Sequence, residues 1–250
     1  MKIVIPEGPE KNYNISEKSQ LIGGMKLLGT FFAIIFSFYL FFLLVAHYLV
    51  YLVPLEKEIE WFGEGSVTSE NIQLTKKINE IFPDIKYSLH VISSEEENAY
   101  AKLGGKILVT EGLLNSIEYE NELLMIIGHE ISHIENRDVF KKIVSEFPIQ
   151  LLLLLIGFSG NEGLYIFDSV SSVYNKEVEE RSDFEGVDFV NNEKNHIGCI
   201  TRFFEKNNDN LDNIVSFLSD HPMTASRITE INEYAQSKGF IEKECSKFEF

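Results

Sequence analysis

Between Leu27 and Val53 the chain runs for 27 residues without a formal charge, dominated by Phe, Leu, Ile, Val and Tyr, with His47 the only titratable group besides the tyrosines. As a helix rising about 1.5 Å per residue, the run is about 40 Å long, more than the roughly 30 Å of a hydrocarbon core requires, so it spans with tilt or ends in the interface. A cleaved signal peptide has an apolar region of about 7 to 15 residues that closes on small residues. This run is longer and closes on Tyr51-Leu52-Val53-Pro54. A membrane anchor is therefore expected, in preference to a core helix of such uniform apolarity.

The anchor organises what lies on either side. Residues 1–26, with Pro6, Gly8 and Pro9, read as a polar tail, 54–68 as a linker and 69–250 as a single domain. Lys11, Lys18 and Lys26 precede the span, whereas Lys57 follows it among Glu56, Glu58 and Glu60. The positive-inside rule then leaves the N-terminus in the cytoplasm and the domain outside. A net charge of −17 excludes nucleic acid as a partner, since nothing would neutralise phosphates. Cys199 and Cys245 have no metal-type spacing and can form at most one bridge.

Chemistry first shows at Ile126 to Asp138. His129 and His133 are four residues apart, which on a helix stacks both imidazoles on one face within reach of a single metal ion. Glu130 lies beside them, free to flank the metal without being used as a ligand. Zinc peptidases use this spacing: two neutral imidazoles hold Zn²⁺, its bound water falls to a pKa of roughly 7, and a carboxylate takes the proton. Leu123, Leu124, Ile126, Ile127, Ile131 and Ile134 recur at three and four, so the helix is a buried one. Histidines and a glutamate inside it need a reason, because an unpaired buried carboxylate is costly.

Hydrolytic zinc commonly takes three protein ligands. A third histidine in the metzincin manner would need a glycine at position 136 and a histidine at position 139, but the chain has Asn136 and Val139. The alternative is a carboxylate from a second helix. Tyr174 to Asp188 offers several: Glu179 and Asp183 share a helix face, so Glu179 can bind the metal while Asp183 accepts from a ligand histidine's outer nitrogen. Glu177, Glu180 and Glu185 compete with them, and by charge alone the segment reads as an acidic solvated helix.

Elsewhere, Asn71 to Ile81 has helical periodicity. Ile85, Tyr87, Leu89 and Val91 alternate with Lys86, Ser88 and His90 as in a strand, which makes His90 a strand residue rather than a ligand. Ala99 to Leu103 and Lys106 to Thr110 flank Gly104-Gly105 as a hairpin. Phe147 to Phe158 is apolar but too short to cross a bilayer, and reads as a buried or membrane-leaning helix. Asn207 to Asn213 reads as a loop before a helix at 214–218.

Four ordered motifs carry a resemblance. His129-Glu130-Ile131-Ser132-His133, Glu179-x-x-x-Asp183, Asn98-Ala99-Tyr100-Ala101 with the following Gly104 to Leu114, and His221-Pro222 with Arg227 together resemble the M48 peptidases, the Ste24 and HtpX-like zinc endopeptidases. The likeness covers roughly Glu70 to Ala235. It departs at Asn175-Lys176, where Ser-Arg is common, and at Ser182, where Ala precedes the aspartate.

The resemblance implies an α+β zincin-like (gluzincin) domain, mostly helical with a small sheet, behind a transmembrane helix. It implies one Zn²⁺ held by His129, His133 and Glu179, with Glu130 as general base and acid and Asp183 behind a ligand histidine. Peptide substrates are expected to dock in extended form along Asn98, Ala99, Tyr100 and Ala101. His221 is expected over the metal, either donating to the oxyanion or occupying the open coordination position. The family further implies proteolysis of membrane or envelope proteins; a bacterial inner membrane is the expected location, with the domain outside the cytoplasm by the lysine bias above. A zinc-bearing, non-proteolytic, chaperone-like module is the rival, and it has no use for Glu130. A zinc hydrolase of non-peptide amides is a third reading, opposed by the docking strand.

Overall fold

Lys106–Thr110 is buried along its whole length and takes the centre of a three-stranded sheet. The computed structural model describes residues 20–155, 175–208, 221 and 225–250. This central strand, β3, pairs in parallel with β1 (Ser88–Ile92) and antiparallel with β2 (Ala99–Lys102), giving the order β1-β3-β2. The hairpin turn uses Gly104 and Gly105 at φ 83° and 71°, a left-handed pair that residues with a Cβ resist. β2 is therefore an edge strand among the described residues. The expected strand begins three residues late, at Ser88, with Leu89 and Val91 facing the core as the alternation predicts.

Helices supply the rest. Among the described residues they are, in chain order, α1 (Gln20–Leu52), α2 (Leu55–Phe62), α3 (Ile72–Ile81), α4 (Glu111–Ser116), α5 (Glu120–Glu135), α6 (Asp138–Leu155), α7 (Lys176–Lys194), α8 (Arg202–Asn208) and α9 (Ala225–Ser237). Ile22–Leu52 of α1 is long and apolar enough to cross a membrane, and most of its side chains are exposed. The helix begins inside the stretch read as a polar tail. Extending an existing helix costs far less than starting one, so Gln20 to Lys26 join it despite Gly23 and Gly24. The linker expected at 54–68 likewise contains α2, whose Glu56 and Glu58 favour a helix N-terminus while Leu55 and Ile59 pack on the core.

α6 runs antiparallel to α1. Arg137, just before it, reaches Val50 and Val53, and nine residues into it the Phe147 ring lies 6.3 Å from that of Phe42. The apolar stretch from Phe147 is thus helical up to Leu155 and packs beside the anchor. Residues 156–158, the helix expected at 214–218, the loop residues after Asn208 and residues 1–19 lie outside the described residues.

α5 lies between the sheet and α7. Gly128 and Gly186 meet where α5 and α7 cross: a Cβ on Gly128 would stand 2.9 Å from Phe189 and 3.1 Å from the Gly186 Cα. This close approach brings His129 and Asp183 together. The start of α5 is tied to the C-terminal segment, for Glu120 N–H donates to Ser246 and Phe248 N–H to Glu118, and a Cys199–Cys245 disulfide fastens the same segment to the α7–α8 junction.

Glu122, in the first turn of α5, accepts the Tyr119 N–H at 3.1 Å, and its burial pushes its pKa up to about 7. A carboxyl whose folded pKa is raised contributes stability fully below about pH 4.5 and loses it as pH rises through about 7. Glu122→Gln keeps the acceptor but cannot ionise. Its thermal unfolding is expected to be nearly flat over that window, with a gain at pH 8 of at most about 3 kcal/mol over wild type. An unchanged pH profile would mean that Glu122 stays charged in the fold.

Candidate active site

Three side chains from two helices converge. His129 and His133 of α5 bring their Nε2 atoms to 3.1 Å, and Glu179 of α7 places Oε2 3.5 Å from the first and Oε1 3.7 Å from the second. Donors arranged tetrahedrally at about 2.0 to 2.1 Å from one zinc-sized ion stand about 3.4 Å apart. All three side chains are buried.

The outer nitrogens explain why the inner ones face each other. His129 Nδ1 lies 3.0 Å from Asp183 Oδ1, and His133 Nδ1 lies 3.1 Å from Asp138 Oδ2. With each Nδ1–H donated outward, each neutral ring turns a lone pair inward, toward the other ring and a carboxylate. Such an arrangement calls for a cation between them. Without one, a proton serves: burial would lower the His129 pKa, but hydrogen bonds with Asp183 and Glu179 outweigh it and lift the pKa to about 10. Burial opposes the ionised forms of Glu179 and Asp183 as well. Hydrogen bonds from His129 and His221 hold Glu179 well below the usual carboxylate range, and His129 and Arg227 do the same for Asp183.

Asp183 is clamped in turn. Arg227 of α9 donates Nε to Asp183 Oδ2 and Nη2 to Oδ1, both at 2.8 Å, and its Nη2 also lies 3.0 Å from Glu179 Oε2. On the other side, Arg181 and Lys141 flank Asp138. Ser182, in the position where alanine is common, accepts from Ser132 at 3.0 Å and lies 3.4 Å from His133 Nδ1.

Glu130 is held by one oxygen. Ala101 N–H in β2 donates to Oε2 at 2.6 Å, while Oε1 is buried without a hydrogen-bond partner among the described residues. His221 Nε2 lies 3.6 Å from Oε1. An orphaned carboxylate oxygen beside two convergent imidazoles fits a water molecule on a metal. His221 itself is buried, with Nδ1 3.1 Å from Glu179 Oε1 and 3.2 Å from His129 Nε2. Its ring thus stands in the position of a fourth donor. His129, Glu130, His133 and His221 bring ligand atoms within 4.8 Å of one another, and with Glu179 they could hold one metal ion.

β2 brings the expected docking residues to the same place. Asn98 accepts the Thr110 N–H, so along the antiparallel ladder the backbone groups of Ala99 and Ala101 point away from β3. Ala101 N–H is already engaged by Glu130, and Ala99, the other residue of the four whose backbone groups face that side, is fully buried. Among the competing acids, Glu177 is exposed and Glu185 accepts from Asn136 at 2.8 Å, away from the histidines. Asp138 and the clamping role of Arg227 were not anticipated. Asp138 stands within the motif segment, five residues after His133, and an acid directly after an arginine at the end of a buried helix was the available signal.

The sheet, the buried helix and the crossing helix with its acid frame His129, Glu130 and His133 as an HExxH motif, the pattern that metallopeptidases carry. The family model of Peptidase family M48 matches residues 67–235, and the chain belongs to that family. It is similar to the mitochondrial metalloendopeptidase OMA1 of Schizosaccharomyces pombe, 24% identical over 159 residues that cover 60% of this chain and 47% of the relative. A Protease HtpX homolog of Fusobacterium nucleatum is 30% identical over 135 residues, covering 46% and 42%. The mitochondrial OMA1 metalloendopeptidase of Bos taurus is 32% identical over 78 residues, covering 31% and 15%. The matched stretches span less than half the length of each relative.

Proposed function

We propose that this chain is a membrane-anchored, zinc-dependent endopeptidase. The observation that carries the reading is Glu130: one oxygen fixed by Ala101, the other buried without a partner beside a convergent pair of imidazoles and a carboxylate. His129, His133 and Glu179 would hold the metal. Zinc bound there would supply the Lewis acidity that activates water and polarises the scissile carbonyl.

The chain's own groups do the rest. Ala101 N–H fixes the rotation of the Glu130 carboxylate, so that Oε1 faces the attacking water, takes its proton and passes it to the leaving amine. Asp183 and Asp138 hold the two ligand rings in one tautomer and orientation. The outer edge of β2, from Asn98 to Ala101, lines up an extended peptide through backbone pairing, a mode that reads few side chains and supports broad specificity. His221, facing the ligand set through Nδ1, fills the remaining donor position in the resting site.

The anchor reading rests on α1 and on α6 packed beside it, which keep the site close to the bilayer. The Cys199–Cys245 disulfide supports a domain facing an oxidising compartment, as on the outer side of a bacterial inner membrane. Substrates in that setting are membrane or envelope proteins under quality control.

The test uses the full chain purified in detergent. Metal content and casein cleavage are expected to disappear together on chelation and to return together with zinc. Metal binding without cleavage of any protein would instead favour the chaperone-like module.

A further inference from the structure

Arg137 ends α5 in the left-handed conformation that commonly closes a helix, at a position where glycine is the usual residue. It sits between α5 and α6 at φ 58°. Its side chain reaches the anchor. Nη1 donates to Val50 O at 2.7 Å and to Val53 O, the carbonyls at the end of the anchor helix. Those carbonyls lack ordinary partners for a reason written in the chain. Val50 O would accept from residue 54, which is proline and has no N–H, and Lys57 N–H, the regular partner of Val53 O, donates to Pro54 O at the start of α2. Arg137 Nε also lies 3.3 Å from Glu58 Oε2, and the guanidinium stands 4.4 Å from the Phe140 ring centre.

Both ends of this contact lead to the site. The residue after Arg137 is Asp138, whose Oδ2 holds His133 Nδ1. Glu58, which is 3% exposed, faces the backbone of Gly104 in the β2–β3 turn, and β2 carries the Ala101 N–H that holds Glu130. One guanidinium thus ties the end of α1 to the junction that orients a metal ligand and, through Glu58, to the hairpin that orients the base.

We propose that Arg137 is a positioning residue that makes the end of the membrane anchor part of the active site, setting His133 through Asp138 and Glu130 through the hairpin. The proposal rests on the metallopeptidase reading above. Removing the arginine is expected to loosen the site by about the 10- to 100-fold typical of groups behind metal ligands.

The experiment uses the full chain in nanodiscs, measuring zinc affinity by competition with a chromophoric chelator, kcat and KM on a fluorogenic peptide, and unfolding of the metal-free protein. Arg137→Gly removes the donors and relieves the left-handed backbone. It is expected to fold but to unfold earlier than wild type, because buried Glu58 and two carbonyls lose their partner, and the folded protein should lose about 10-fold or more in zinc affinity and in kcat, with KM within about twofold. Arg137→Met keeps the stem and the strained backbone and removes only the donors; it should lose the same amounts, and it serves if the glycine variant does not fold. Arg137→Lys, which can still donate to the two carbonyls, should recover part of the loss. Wild-type zinc affinity and kcat in either folded variant, or losses matched by an equal loss of stability in every variant, would overturn the proposal. A wild-type chain that binds zinc but cleaves nothing sinks the peptidase reading alone, because the zinc affinities still decide the role of Arg137.

Discussion

Replacing Glu130 with glutamine is expected to leave the metal in place and to lower peptide hydrolysis by about 10²- to 10⁴-fold, the usual worth of a positioned general base. The substitution is nearly isosteric. A glutamine carbonyl can still accept the Ala101 N–H that now meets Oε2 at 2.6 Å, so the side chain should keep its rotamer. What it cannot do is take a proton at the position of Oε1. None of the proposed ligands is touched, since His129, His133 and Glu179 meet one another without Glu130. Metal content by mass spectrometry beside kcat/KM on a peptide would decide: wild-type turnover with bound metal removes Glu130 from the chemistry, and loss of metal makes it a ligand.

The second large effect concerns α7. Glu179→Ala is expected to weaken metal binding by more than about 100-fold, beyond the range of outer-sphere partners, while Asp183→Ala costs about 10- to 100-fold. Glu177→Ala and Glu180→Ala should change nothing measurable. The ordering follows from position. Glu179 Oε1 and Oε2 lie within 3.7 Å of both ligand imidazoles, Asp183 touches only the outer nitrogen of His129, and Glu177 is exposed. Chelator competition titrations on the four variants would show it, and equal losses at 177, 179 and 180 would mean that the helix presents another face. Arg227, which bonds both Glu179 and Asp183, should amplify the first effect by losing one partner inside the fold.

What could be read before the fold was known followed from local period. Helical spacing placed His129 over His133 and Glu179 over Asp183, alternation placed Leu89 and Val91 in the core, and the uncharged run after Lys26 announced α1. Each of these depends only on residues a few positions apart, whose geometry the backbone of a helix or strand sets by itself. Element ends were less legible. Gln20 to Lys26 join α1 by propagation, and Leu55–Phe62 becomes a helix because its apolar side meets the core, neither of which has a sharp signature in the chain.

The partners that complete the site lie far apart in sequence, and it takes the folded chain to pair them. Asp183 reaches His129 across 54 residues, Arg227 reaches Asp183 across 44, and Arg137 reaches Val53 across 84. No periodicity links such positions, and an aspartate or arginine has the same local propensity whether it ends buried in an ion pair or in water. Local pattern dictated a buried helix with two stacked histidines and a glutamate, a second acidic helix and an anchor. The crossing of α5 over α7 at Gly128 and Gly186 chose among the acids, and burial, by removing water as an alternative partner, made each chosen pairing obligatory.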